Sequence, residues 1–178
     1  MKFWPVPNSY SKNIPGLGLP GSFWECREDR RHCGIDIYAP EGSDVLSIED
    51  GKVIDIGVFT SPDKASYWNT TYYVLIENKT GCVCKYAELG DVVVNVDEQI
   101  KGGQLIGHVG LVLDVDKVTK ESPLYIRKIK EKRNQSMLHF ELYKSFPFEN
   151  RNYLGGNWFG DVKPTCLLDP FDYLRSMF

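Results

Sequence analysis

From Ile35 onward the chain is cut into short runs rich in β-branched and aromatic residues, and this punctuation limits its folding more than any other feature. Ile35–Tyr38 runs into Ala39-Pro40-Glu41-Gly42, Val45–Ile48 runs into Glu49-Asp50-Gly51, and Lys52–Gly57 follows at once. Tyr72–Glu77, Cys82–Leu89, Val92–Val94 and Gln104–Val109 repeat the pattern. Many short strands at close spacing predict a mostly β domain built from antiparallel sheets. Asp50-Gly51 between two such runs also predicts a hairpin.

Three stretches break the rhythm. Residues 1–20 hold Pro5, Pro7, Pro15 and Pro20 together with Gly16 and Gly18. That composition predicts an extended N-terminal arm and leaves residues 21–178 as one domain. Thr60–Thr71, polar and aromatic with Pro62, reads as a loop. A charge-dense insertion covers about 113–135, where Lys128, Lys130, Lys132 and Arg133 bunch together and Pro123–Lys132 predicts a short helix. Long connections in small domains tend to be functional, so the insertion is expected beside a site.

Composition removes several classes. A chain of 178 residues, 42% apolar, is long enough for one real core. Its net charge of -3 gives no footprint for a nucleic acid. No apolar run approaches the roughly 20 residues of a membrane-spanning helix. The start, Met1 to Pro7, lacks the apolar stretch of a secretory signal, so the chain reads as cytoplasmic as it stands, or extracytoplasmic if an export segment was trimmed. Five cysteines, an odd number, do not make a disulfide framework. Cys82 and Cys84 would share one face of a strand as plain thiols.

Only three histidines occur, so their positions matter. In Met137-Leu138-His139-Phe140-Glu141-Leu142, strand alternation places Leu138, Phe140 and Leu142 on the core face. Met137, His139 and Glu141 then face a solvated groove. His32 and Asp36, four apart, would be about 13 Å apart on a straight strand, so shared ligation of one ion needs a bend, which Gly34 permits. Two His and one carboxylate with an open fourth position form a recognised catalytic zinc set. His108, after Gly107, is read as structural.

The segment His32-Cys33-Gly34-Ile35-Asp36-Ile37-Tyr38-Ala39-Pro40-Glu41-Gly42 resembles the first zinc motif of the lysostaphin-type metalloendopeptidases, His-x-Gly-x-Asp followed by Pro-x-Gly. Further segments resemble that family in the same order. They are Asp50-Gly51-Lys52-Val53, Tyr86-Ala87-Glu88-Leu89, Lys101–Gly110, Leu138-His139-Phe140-Glu141-Leu142 and Leu168–Leu174. The resemblance covers about residues 30–174. It implies a mostly β, duplicated-hybrid-motif-like fold with a groove across one sheet, and zinc held by His32, Asp36 and His139. It also implies metal-assisted hydrolysis of peptide bonds in the peptide cross-bridges or stems of peptidoglycan.

Two departures stand out. The histidine of the family's Tyr-x-His-Leu segment is Glu88 here, and the first histidine of its His-x-His pair is Met137. The family's two helper histidines activate water and stabilise the tetrahedral intermediate. Glu88 is the candidate general base in their place, since a carboxylate serves that role in other zinc peptidases. Glu141 is a second candidate, whose role in the family looks structural. Strand alternation sends Tyr86 and Glu88 to the same side, so Tyr86, with Met137, is expected to line the substrate groove. The rival reading is a non-catalytic, zinc-holding module that binds a peptide or protein along that groove. A third is a cytosolic amidase or peptidase acting on a small soluble substrate.

Overall fold

The punctuated runs pair as strands in a computed structural model that describes residues 2–145 and 151–177. Met1 at the head of the expected arm and Phe178 at the end of the expected domain lie outside the described residues. In chain order the strands are β1 (Cys26–Arg27), β2 (Arg30–His32), β3 (Ile35–Tyr38), β4 (Asp44–Leu46), β5 (Gly51–Val58), β6 (Tyr72–Asn78) and β7 (Val83–Val92). There follow β8 (Gln99–Ile100), β9 (Leu105–Val109), β10 (Met137–Tyr143), β11 (Tyr153–Leu154), β12 (Asn157–Trp158) and β13 (Leu167–Leu168). Among the described residues two α-helices, α1 (Leu124–Lys132) and α2 (Phe171–Arg175), and a 3-10 turn at Val115–Lys117 complete the set.

Among the described residues, nine strands form one sheet ordered β13-β10-β7-β6-β5-β8, with β3 added to β10 and β9 joining β7 to β4. A smaller sheet has the order β1-β2-β12-β11. Every pairing is antiparallel. The mostly β, antiparallel fold is therefore the one expected.

Alternation explains the main core. Ile35 and Ile37 of β3, Val74 and Ile76 of β6, and Leu138, Phe140 and Leu142 of β10 are all buried in a single cluster. Burying side chains of this size contributes about 1.5–3 kcal/mol each, the main force holding the sheet's lower face. A second cluster joins Trp68 of the 60–71 loop to Leu113, Val118 and Ile126 of the insertion, and Met137 sits beneath them. Helix α1 starts one residue after the expected position, with Pro123 as its N-cap, and ends at Arg133 in a left-handed conformation (φ 54°).

Three expectations are corrected. Asp50-Gly51 turns the chain but does not close a hairpin: β4 pairs with β9, and β5 pairs with β6 and β8. The Asp50 carboxylate instead accepts a hydrogen bond from the Gly102 amide at 3.0 Å, tying two turns together. The first part of the arm is packed, not free. Trp4 and Val6 are in the core, while the Phe3 amide donates to Ile48 and Pro5 accepts from Leu46. Its prolines prevent a regular ladder, yet alternate apolar side chains still find the sheet. Finally, the face carrying Met137, His139 and Glu141 is not solvated, since all seven residues of β10 are buried.

The placement of Tyr86 also differs from expectation. It is 1% exposed, packs edge-on against Phe140, and its hydroxyl accepts from the Ile48 amide at 2.9 Å. It belongs to the core, not to a groove. Met137 likewise lies under Trp68 and Leu113 and lines no open surface. Tyr86→Phe should cost about 1–3 kcal/mol, because it leaves a buried amide without a partner, and should leave metal binding unchanged. Urea denaturation alongside metal titration checks both halves; weakened metal binding with intact stability would return Tyr86 to the groove.

Candidate metal centre

The candidate ligands come from three strands that sequence distance keeps apart. His32 ends β2 in the smaller sheet, while Asp36 lies in β3 of the larger one, so the chain changes sheets between them. Asp36 pairs with His139 across β3 and β10, which puts the two side chains side by side on one face. Gly34 makes the crossing possible. A Cβ there would sit 2.4 Å from the Phe140 carbonyl oxygen and 2.9 Å from the His139 ring.

Three atoms converge. His32 Nε2 lies 3.1 Å from Asp36 Oδ1 and 3.0 Å from His139 Nδ1, and His139 Nδ1 lies 2.9 Å from Asp36 Oδ1. The outer nitrogens set the tautomers. His32 Nδ1 is 2.8 Å from the Ser22 carbonyl, which only accepts, so Nδ1 carries the proton and Nε2 offers a lone pair. His139 Nε2 is 2.8 Å from Glu141 Oε1, so it donates there and leaves Nδ1 free. With both rings neutral, three lone pairs face one another with no proton between them. Such a set repels itself unless a cation sits in it, and it is a good donor set for zinc. The residues present therefore fit the ion that the resemblance implies.

The surroundings support these orientations. Asp36 Oδ2 accepts from the Arg27 guanidinium at 3.0 Å, which leaves Oδ1 for the centre. Arg27 also bonds Glu25 and Asn157, and the Tyr125 ring of α1 covers it. Glu141 is saturated: His139, Tyr153 and Tyr143 donate to it, and Lys85 Nζ lies 3.5 Å away. Phe59 stacks on the His139 ring at 5.4 Å, and Gly156 approaches it so closely that a Cβ would lie 2.7 Å from it. His32, Asp36 and His139 are 0%, 6% and 4% exposed.

Electrostatics follow from this packing. Burial alone would raise Asp36, but His32, His139 and Arg27 hold its carboxyl well below the usual carboxylate range. Burial, reinforced by Arg27, lowers His32. Burial would also lower His139, yet its bonds to Asp36 and Glu141 outweigh that and push it up to about 9 in the metal-free protein. A proton there stands in for the cation, and metal would have to displace it.

Glu88 reaches the same neighbourhood through a bulge. Tyr72 pairs with Leu89 and Tyr73 with Ala87, so Glu88 is the extra residue. Its backbone is left-handed at φ 62°, a conformation costing of order 1–3 kcal/mol for a residue other than Gly. The bulge breaks the alternation that assigned Tyr86 and Glu88 one face. Thr71 donates to Glu88 Oε2 at 2.7 Å and Thr60 at 3.3 Å. Burial raises its carboxyl from 4.5 to about 7, against the Thr71 bond and the pull of His139.

The model of peptidase family M23 matches residues 30–153, the span that carries all these groups. The chain belongs to peptidase family M23. M23 peptidases are zinc-dependent and act on peptidoglycan-type substrates. The cell division protein DipM of Caulobacter vibrioides (strain NA1000 / CB15N) is 28% identical over 139 residues. That match covers 78% of this chain but only 17% of DipM's length. Among solved structures, the fold is similar to the antimicrobial peptidase lysostaphin from Staphylococcus simulans. The TM-score is 0.55 at 20% identity, covering 99% of this chain and 56% of lysostaphin. It is also similar to a chain in the SpoIIIAH–SpoIIQ complex, with TM-score 0.53, 18% identity, and coverage of 97% and 99% of the two chains. No helix among the described residues of this M23 chain is long and apolar enough to cross a membrane.

Sequence reasoning named the three convergent residues but missed their supports. Arg27, the Ser22 carbonyl, Asn157, Phe59 and the Thr60–Thr71 pair carry no local signal of their role. Glu141 was legible only by its place two residues after His139 on one strand face.

Proposed function

We propose that this M23 domain is a zinc-dependent peptidase acting on peptides of the cell-wall type. The convergence of three donor atoms from His32, Asp36 and His139, each residue fixed by an outer partner, carries the reading. Zinc bound there supplies a Lewis acid that lowers the pKa of water and polarises an amide carbonyl. Glu88 takes the proton from the attacking water and returns it to the leaving amine. Thr71 and Thr60 hold its carboxylate in place, and a pKa near 7 suits a base working at neutral pH. Arg27 keeps Asp36 turned so that one oxygen faces the centre. Glu141 keeps His139 in the tautomer that ligates. Phe59 and Gly156 exclude water from around that ring.

The test is hydrolysis of a soluble muropeptide by zinc-loaded protein, followed by mass spectrometry, with a chelator arm. Cleavage that stops with the chelator and returns with zinc is expected. Absence of cleavage by protein carrying full zinc would favour the second reading, a binding module that keeps the metal for structure. Two observations favour that alternative: the ligands are almost fully buried, and Met137 supplies no proton or strong hydrogen bond.

A further inference from the structure

The sheet that carries Asp36 and His139 has a cleft beside the metal centre. Strand register divides its face into rows about 7 Å apart. One row pairs Tyr38 with Met137, the next pairs Asp36 with His139 and Ala87, and the third runs Glu141, Lys85, Leu75 and Asp55. The first row is sealed by Trp68, Leu113 and Ile126. From the third, Lys85, Leu75 and Asp55 line a cleft of about 890 Å³, whose walls include Phe59 and Tyr153. Both walls tie the cleft to the centre, Phe59 by stacking on His139 and Tyr153 by donating to Glu141.

Charge in the cleft is the reverse of the whole chain's. Lys64, Lys85 and Arg151 line it against a single carboxylate, Asp55, which accepts from the Tyr73 hydroxyl at 2.6 Å. Lys85 is turned inward, to Tyr153 and Glu141, while Lys64 donates to the Phe59 carbonyl at 3.4 Å and has further protons to give, so Lys64 and Arg151 are the cations to meet a ligand. A chain with net charge -3 thus presents cations at this cleft. A volume within the roughly 300–1,000 Å³ of small-ligand sites is enough for the end of a peptide.

We propose that the cleft takes the C-terminal end of a short peptide, with its free carboxylate at Lys64 and Arg151, so that the substrate is a small peptide acid and not an internal cross-bridge. This rests on the peptidase reading for which bond is cut, but the carboxylate site does not need catalysis to be measured. The experiment is calorimetric titration of zinc-loaded protein with tri-alanine and with tri-alanine amide, repeated on a Lys64→Ala/Arg151→Ala variant. Both side chains are exposed, so the variant is expected to fold.

The free acid should bind about tenfold more tightly than the amide, and the double variant should bring the two within about threefold. Equal binding of acid and amide to the unaltered protein would overturn the proposal. So would a preference that survives in the variant, because the carboxylate would then be held elsewhere, as on the metal. Acid-selective binding without any hydrolysis leaves this site standing and removes the peptidase reading. Internal cleavage of a long peptide blocked at both ends would do the opposite.

Discussion

Replacing Glu88 with Gln is expected to lower hydrolysis by a factor of about 100 to 10,000 while zinc content stays at the unaltered level. The change keeps the size of the side chain and an oxygen that Thr71 and Thr60 can still donate to, so the bulge should hold. What it removes is the ability to accept a proton. The pH profile carries the same signature: hydrolysis should fall as acid protonates the Glu88 carboxyl, at a pH below the value of about 7 that burial gives in the metal-free protein, because a bound dication would pull it down. Stability gives an independent check. A carboxyl whose pKa is raised on folding contributes stability that is fully present below 4.5 and is lost as pH rises through about 7. Metal-stripped wild type should therefore lose stability across that window relative to Glu88→Gln. Unchanged hydrolysis in the zinc-loaded variant would remove Glu88 from the chemistry.

Gly34→Ala should be among the most damaging single changes outside the ligands. The added methyl would meet the Phe140 carbonyl oxygen at 2.4 Å, and that oxygen belongs to the central strand β10 and has little room to shift. It would also press on the His139 ring, whose Nε2 must stay on Glu141 for Nδ1 to face the centre. Overpacking against backbone costs about 3 kcal/mol or more, and disturbing an outer partner of a ligating histidine costs about 10–100-fold in metal affinity. Gly16→Ala is the matched control. Only Leu19 lies near, at 4.0 Å, so its effect should stay within about 0.5 kcal/mol. Urea denaturation and competition with a metal indicator measure both effects. Wild-type stability and affinity in Gly34→Ala would mean that β2 and β3 do not pass so close to β10.

What the sequence made legible was whatever depends on neighbours along the chain. The strand Ile35–Tyr38 has the bounds read from its residues, and α1 begins one residue late. His32, Asp36 and His139 could be named because their motifs are local, although the fold brings His32 and His139 together across 107 positions. Arg27 and Asn157, 130 positions apart, have no such motif, and the pairing of β2 with β1 on one side and β12 on the other places them at the centre. The exchange of Tyr86 for Glu88 on the site side has one cause: a single extra residue in β7 resets a period-two pattern. Asp50-Gly51 marked a true turn, but partner choice was decided by strands further along the chain. The buried groove had the same origin, since Trp68, Leu113 and Ile126 form a cover that no local window contains.

Metal content decides the central claim most directly. Elemental analysis of the purified protein after zinc loading and gel filtration should give close to one zinc per chain, and His139→Ala, prepared in parallel, should give close to none. Equal zinc in the two proteins, or none in either, would contradict a centre built from His32, Asp36 and His139.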